Sequence, residues 1–200
     1  MDVVDAPGGV PDAGWVERVF GAGGVWRPTA EQLPPALTHG PTRAFLTEVG
    51  LPCAKVGRIG LDSLFLREEG LWAQDVDGLY GASRPTGDGA VSDSCFKVME
   101  HTDAVFVLDA GSGAVDLFSP DGWDWGRGYG GRYAPSLPLF VRVLGLAAQT
   151  VARVDGIGRD EAIEEFDARL DGLGLLEAHP NLWAQVFEYI DEYVDDFPAY

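Results

Sequence analysis

The stretch that decides the fold covers residues 41–52 and reads Pro-Thr-Arg-Ala-Phe-Leu-Thr-Glu-Val-Gly-Leu-Pro. It predicts a short helix that begins at Pro41, because proline in the first turn loses no hydrogen bond that the helix needs. Phe45, Leu46 and Val49 fall on one side of such a helix. Gly50 suits a left-handed cap, and the next proline prevents continuation. The stretch therefore predicts one short helix with a single apolar face.

The residues around this helix extend the motif in both directions. Before it, residues 33–39 read Leu-Pro-Pro-Ala-Leu-Thr-His, and after it come a hairpin over 104–120 and a helix beginning near Ser136. Near the end, a Trp-x-x-Val-Phe-Glu-Tyr-Ile segment starts at Trp183. Over roughly residues 25–195 this pattern resembles the SUKH superfamily of bacterial immunity proteins, and it is most similar to the fourth subfamily.

The resemblance implies a fold and a role. Such proteins are α+β domains that bind and neutralise a toxin domain delivered between competing bacterial cells. The family is generally non-enzymatic, so the resemblance implies no catalytic residues and no cofactor for this chain.

Composition narrows the function independently of the resemblance. The chain has 200 residues, of which 46% are apolar, and this suits one folded domain with a substantial core. Its net charge of −18 argues against nucleic-acid binding, where a basic surface supplies most of the affinity, and against anionic membranes. The same charge favours a basic protein partner through long-range attraction.

Cysteine content and the first residues suggest a compartment. Cys53 and Cys95 are the two cysteines, far too few for a disulfide-rich secreted domain. The first residues lack the basic start and apolar run of a signal peptide. The apolar stretch over 137–151 contains Pro138 and Arg142 and is too short to span a bilayer. We therefore expect a cytoplasmic protein.

The pattern along the chain predicts one domain over residues 15–200, preceded by a loose segment over 1–14 that is rich in Asp, Pro and Gly. A short helix is expected over 15–20, and a surface loop over 81–94. The predicted strands cover residues 63–66, 71–73, 96–99, 105–109 and 115–118. The last two flank Ala-Gly-Ser-Gly, which suits a hairpin, and the strand over 105–109 is apolar on both faces and should be central.

Helical periodicity replaces strands after Pro138. The helix over 139–154 is apolar on nearly every side and should be the most buried helix. A second helix should start at about Asp160, a plausible N-cap, with the apolar stripe Ile163, Phe166 and Leu170, and a third should start near Pro180. The prediction is an α+β single domain, an antiparallel-rich sheet packed by helices, with a C-terminal helical extension. Residues 151–200 hold 13 acids and 3 bases, more than half of the net charge.

Several motifs that could indicate chemistry are better explained structurally. Residues 126–131 match G-x-G-x-x-G, but no strand precedes them and prolines delay any helix, so a glycine-rich surface loop is the better interpretation. The three histidines are isolated, which argues against a metal site. The carboxylates over 68–77 suit turns and strand ends. We therefore expect neither a cofactor nor catalytic residues.

One loop remains as a candidate partner-binding site, formed by Asp121, Trp123, Asp124, Trp125, Tyr129 and Tyr133. Aromatic anchors beside acids are typical of protein interfaces. The alternative is that the rings fold back onto the core. We expect at least two of the four rings to be substantially exposed. The acidic C-terminal quarter likewise allows two interpretations, a solvated face that maintains solubility or a docking surface for a basic toxin.

Two functions fit the sequence. The first is an immunity protein that occludes a cognate bacterial toxin, with a nuclease or nucleic-acid deaminase as a natural target because its cleft must be basic. The second is a non-enzymatic regulatory module of the same fold that binds a host partner. A small enzyme with an acidic cleft is a third and weaker alternative.

Overall fold

The computed structural model describes residues 5–6, 9–56, 59–80, 84–87, 90–101, 104–118 and 129–174, and every structural statement below concerns these residues. The helices are α1 (Ala13–Phe20), α2 (Gly40–Glu48), α3 (Leu66–Glu69), α4 (Val76–Tyr80), α5 (Leu137–Val151), α6 (Val154–Ile157) and α7 (Arg159–Gly172), with a short 3-10 turn over Ala30–Gln32. The strands are β1 (Val25–Trp26), β2 (Leu51–Pro52), β3 (Lys55–Val56), β4 (Leu61–Asp62), β5 (Trp72–Gln74), β6 (Cys95–His101), β7 (Ala104–Asp109), β8 (Val115–Phe118) and β9 (Tyr129–Ala134).

A seven-stranded sheet forms the centre of the molecule. Its strand order is β3-β4-β6-β7-β8-β9, and β5 pairs with β6 beside β4. All the pairs are antiparallel, and β1 and β2 form a separate small ribbon. This confirms the predicted α+β class. It also confirms the hairpin β7–β8 and the central position of β7, which pairs with β6 on one side and with β8 on the other.

Helix α5 is the most extensively buried of the described helices, as predicted, with ten buried residues along Leu137–Val151. Its first turn is capped by Ser136, whose hydroxyl accepts a hydrogen bond from the Leu139 N–H at 3.4 Å. The helix ends at Val151, and α6 forms a separate turn after it. Helices α1, α2 and α7 all contact α5, which therefore forms the middle of the helical layer.

The structure explains why the Leu-Pro-Pro segment over 33–39 and the motif helix α2 occur together in the sequence. Phe45 and Leu46 are buried, and the chain leaves the helix at Gly50 with φ +95°. The Arg43 guanidinium donates to the carbonyl oxygens of Pro34 at 3.2 Å and Leu37 at 3.1 Å. Since Leu37 is itself buried, the arginine fixes the preceding Leu-Pro-Pro segment against the same core that the helix covers.

The tip of the β7–β8 hairpin docks on the start of α2. The Ala110 carbonyl accepts hydrogen bonds from the backbone N–H groups of Thr38 at 3.1 Å and His39 at 3.0 Å. Gly113 has φ +75°, and a Cβ there would lie 2.8 Å from His39 Cε1 and nearer still to Thr42 Oγ1. Only glycine combines a readily adopted positive φ with the absence of a Cβ, so the hairpin turn and the start of the motif helix pack closely at this residue.

One local prediction was wrong. Residues 63–66 do not form a strand, because β4 ends at Asp62 and its carboxylate accepts the Leu64 N–H at 2.9 Å, which turns the chain toward α3. Helix α7 over Arg159–Gly172 confirms the helix expected from about Asp160, although its N-cap is Gly158 and not Asp160. The stripe on α7 is Ala162, Phe166 and Leu170, with Ile163 half-buried.

Some sequence predictions concern residues outside the described part. The third helix near Pro180 and the Trp183 segment lie there, as do residues 81–83 and 88–89 of the loop over 81–94. Within the segment expected to be loose, Ala6 is buried and the Asp5 carboxylate pairs with Arg142 of α5, with the Arg142 Nε 2.8 Å from Asp5 Oδ1. Helix α1 begins at Ala13, so its first two residues precede the expected domain start.

Candidate partner-binding face

The two faces of the sheet differ in what covers them. Side chains alternate along β7, so Phe106 and Leu108 lie in the main core beneath the helical layer. On the opposite side, Val107 belongs to a smaller apolar cluster with Val76 and Tyr80 of α4. We call this opposite side the second face.

Strand register places two rows of side chains across the second face, since directly paired residues share a face. One row consists of Trp72, Lys97, Val107, Asp116 and Arg132. The other consists of Glu100, Val105, Phe118 and Tyr129. A bulge at Val98 turns that residue into the main core while Lys97 and Glu100 both stay on the second face. The second face is thus a mixture of aromatic and charged groups.

An aromatic cluster lies where α4 crosses this face. The Tyr80 ring centroid is 4.7 Å from that of Phe118, in an edge-to-face arrangement, and 5.3 Å from that of Tyr129. The ring centroids of Phe118 and Tyr129 are 5.5 Å apart. Phe118 and Tyr129 also flank the loop with the predicted aromatic anchors, so the base of that loop is fixed to the second face.

A buried carboxylate beneath this cluster is fully engaged. Asp116 is 0% exposed, and its Oδ2 accepts the Tyr80 hydroxyl at 2.7 Å while its Oδ1 accepts Arg132 Nε at 2.9 Å. Burial, and then the Asp116 charge and hydrogen bond, raise the pKa of Tyr80 far above its usual value. Tyr80 therefore remains a donor at any ordinary pH, and the network fixes α4 on the sheet.

At the other end of the same row, a lysine lies between two aromatic rings. The Lys97 Nζ is 4.2 Å from the centroid of Phe65 and 4.4 Å from that of Trp72. It also forms an ion pair with Glu100 at 2.6 Å. Lys97 is only 7% exposed, whereas Trp72 is 51% exposed. The ammonium is thus enclosed by favourable partners while the outer surface of the tryptophan remains open to solvent.

An open polar groove of about 330 Å³ adjoins α4, lined by Gln74, Asp75, Val76, Asp77, Arg84 and Asp93. Arg84 Nη2 lies 2.6 Å from Asp93 Oδ1, and its Nη1 lies 3.6 Å from Asp77 Oδ1. Both carboxylates are highly exposed. This arrangement is a solvated ion-pair cluster, and it lacks the enclosed, converging groups that a catalytic pocket needs.

The hairpin tip contains another engaged carboxylate. Asp109 Oδ2 accepts the Ser92 N–H at 2.6 Å, and its Oδ1 accepts the Ser112 N–H and hydroxyl, both at 2.7 Å. Burial alone would raise the pKa of Asp109, but the bonds from Ser112 and Ser92 outweigh it and hold the pKa below its usual 3.8. This carboxylate therefore stabilises a turn.

The structure separates the residues predicted to bind a partner. Asp121, Trp123, Asp124 and Trp125 lie outside the described part of the chain, so their exposure stays a prediction. Tyr129 is half-buried in the aromatic cluster on the second face. Tyr133 is 1% exposed, with its ring centroid 4.6 Å from that of Phe106 in the main core, so this ring is unavailable to a partner.

The glycine motif does not form a dinucleotide site in the residues that are described. Gly130 and Gly131 lie within β9, and helix α5 begins only at Leu137, whereas the fingerprint needs a helix directly after the glycines. The other two glycines of the motif lie outside the described residues.

Sequence reasoning missed Trp72, Lys97, Tyr80 and Arg132 as parts of a site. Trp72 was expected in a strand, but a three-residue strand gave no sign of which face it would occupy. Asp116 did carry a signal, because an acid inside Val-Asp-Leu-Phe must either face solvent or find a partner.

The described residues form neither a metal-binding cluster nor a membrane-spanning helix. They contain no group of three or more His, Cys, Asp or Glu side chains arranged to hold a metal ion. Among them, no helix has both the length and the apolar character needed to cross a membrane.

Comparison with known proteins supplies the family. No curated protein and no solved structure matches the chain. The family model described as SUKH-4 immunity protein matches residues 11–188, which is most of the chain. The match spans the motif helix, the antiparallel sheet and the buried helix α5, and the chain therefore belongs to the SUKH-4 immunity protein family.

Proposed function

We propose that this protein is a cytoplasmic immunity protein that binds a cognate bacterial toxin domain and neutralises it by covering its active site or substrate groove. The observation that carries the proposal is the family match over residues 11–188. In this mechanism the protein performs no chemistry, because blocking access is sufficient to stop the toxin.

The partner is a basic domain, and a nuclease or nucleic-acid deaminase fits best. A toxin that binds a polyanion needs a basic cleft, and a protein with net charge −18 competes for that cleft. Helix α7 supports this proposal, since Asp160, Glu161 and Glu164 are all exposed along it.

Co-expression tests the proposal. The genes beside this one are searched for a long protein with a C-terminal toxin domain; that domain is then induced in a susceptible host, with and without this protein, and survival is counted. We expect protection, and we expect purified protein to form a complex with that domain. Equal loss of viability in both cultures would refute the immunity role. Specific capture of a host protein without any protection would favour the regulatory alternative.

A further inference from the structure

We propose that one corner of the second face is the docking surface for the basic partner, with Trp72 as its anchor. We call it the Trp72 corner, and it consists of Phe65, Glu68, Glu69, Trp72, Asp75, Lys97 and Glu100. The identification of the partner as a toxin rests on the proposed function, whereas the position and chemistry of the surface rest on the contacts described here.

The first observation is that the Trp72 ring is exposed and yet held in place. Lys97 lies 4.4 Å from the ring centroid and is itself fixed by Glu100 at 2.6 Å and by the Phe65 ring. The Trp72 side chain therefore loses little conformational entropy when a partner covers its ring. Tryptophan is also among the residue types most enriched at the energetic centres of interfaces.

A lone exposed tryptophan needs no special explanation, but this one has apolar neighbours. In the described part of the chain three large apolar side chains are exposed: Val10, Leu64 and Trp72. Leu64 directly precedes Phe65, whose ring shares the Lys97 ammonium with Trp72. Two of the three thus belong to the two segments that enclose Lys97, which brings exposed apolar side chains and charged groups to the same part of the surface.

The second observation is the sign of that rim. Glu68 and Glu69 at the end of α3 are exposed and lie only three to four residues before Trp72, and Asp75 is exposed directly after β5, three residues beyond Trp72. None of these three acids forms an ion pair within the described residues. Their uncompensated charge complements Lys and Arg side chains on a partner and disfavours an acidic one.

The strand edge indicates how the partner would bind. The Gln74 side-chain amide donates to the carbonyl oxygens of Trp72 at 3.2 Å and Ala73 at 3.3 Å, so these backbone acceptors already have a donor. Carbonyls of successive residues in a strand point to opposite edges, so the amide competes with an added partner strand at one of these two acceptors. The partner instead contacts the side chains, with an apolar group on the indole and basic groups on the acids.

The test measures affinity for the purified toxin domain used in the co-expression experiment. We expect Trp72→Ala to weaken the complex at least tenfold, and Val10→Ala, a change at another exposed apolar residue, to leave the affinity within twofold. Unfolding curves establish that both variants are folded. If Trp72→Ala does not fold, the charge variants below decide the question.

Two triple variants each replace three acids by the corresponding amides, so the two variants have the same total charge as each other. One carries Glu68→Gln, Glu69→Gln and Asp75→Asn in the Trp72 corner. The other carries Asp160→Asn, Glu161→Gln and Glu164→Gln on α7. At low salt we expect the first to slow association at least threefold more than the second. Equal on-rates for the two would contradict a localised docking surface.

The outcomes separate this inference from the proposed function. Binding and protection that survive Trp72→Ala would overturn the Trp72 corner and leave the immunity role intact. Failure of the unaltered protein to bind the toxin domain would overturn the proposed function itself. Sedimentation showing a dimer that dissociates in Trp72→Ala would overturn the inference by assigning the surface to self-association.

Discussion

Replacing Gly145 by alanine sets helix propensity against packing in the middle of α5. Alanine is favoured over glycine inside a helix by about 1 kcal/mol. Here, however, a Cβ would lie 2.8 Å from Trp15 Cζ3, 3.0 Å from Cζ2 and nearer still to Cη2. Carbon atoms pack at roughly 3.5–4.0 Å. The indole or the helix must therefore move by about 1 Å or more to relieve the nearest contact.

Neither group can move easily. Trp15 is 1% exposed, and Gly145 is buried between Leu144 and Leu146 on the most buried described helix. Overpacking a core costs typically 1–3 kcal/mol, and the contact here is at the severe end. After the propensity gain, we expect Gly145→Ala to lose about 2 kcal/mol of unfolding free energy. At roughly 2–4 °C per kcal/mol for a chain of this size, the melting temperature falls by about 4–8 °C.

The matched control is Gly172→Ala, at the end of α7, where a Cβ would meet nothing within 4 Å. That variant should be unchanged or up to about 1 kcal/mol more stable. Both are measured by urea unfolding. Trp15→Phe, which provides a smaller ring, should relieve part of the clash caused by Gly145→Ala. A double-mutant cycle should then give a coupling energy of about 1 kcal/mol between the two substitutions. The packing argument fails if Gly145→Ala is as stable as the unaltered protein, or if the two changes are additive.

Four further outcomes follow from the contacts above. Tyr80→Phe removes a donor from buried Asp116 and should cost about 1.5–3 kcal/mol in urea unfolding, and a cost below about 0.5 kcal/mol would contradict that network. Asp109→Asn should be less stable than the unaltered protein at pH 7, and this difference in unfolding free energy should shrink below pH 4. The reason is that folding lowers the pKa of Asp109, so the stabilisation is lost as the carboxylate protonates; a difference independent of pH would refute this account. Burial, with the nearby Asp109 and Asp116 charges, raises the pKa of Cys95 to about 12, so alkylation at pH 8 should proceed only as fast as the protein unfolds; rapid labelling of the native state would contradict it. Association with a basic toxin domain should slow as salt rises, since exposed charges are screened beyond about 8–10 Å, and an unchanged on-rate would mean that the acidity serves solubility alone.

The sequence by itself determined the elements with strong local signals. The hairpin β7–β8 follows from an apolar strand, a Gly-Ser-Gly turn and a second strand, and the burial of α5 follows from apolar residues on nearly every side. The motif helix α2 is marked at both ends by proline and glycine. In each case the residues that specify the element are neighbours in the chain, so their pattern is visible without the fold.

The tertiary structure alone decided the candidate site. Tyr129 and Tyr133 are four residues apart, yet they lie on opposite faces of the sheet, because the register of β9 against β8 shifts at Gly130. Glycine inside a strand often marks such a bulge, but without the fold these glycines are better explained as part of a surface loop. Trp72 and Lys97 are 25 positions apart and meet only because β5 pairs with β6. Strand pairing between distant segments fixes which side chains share a face, and it depends on the whole core rather than on any one segment.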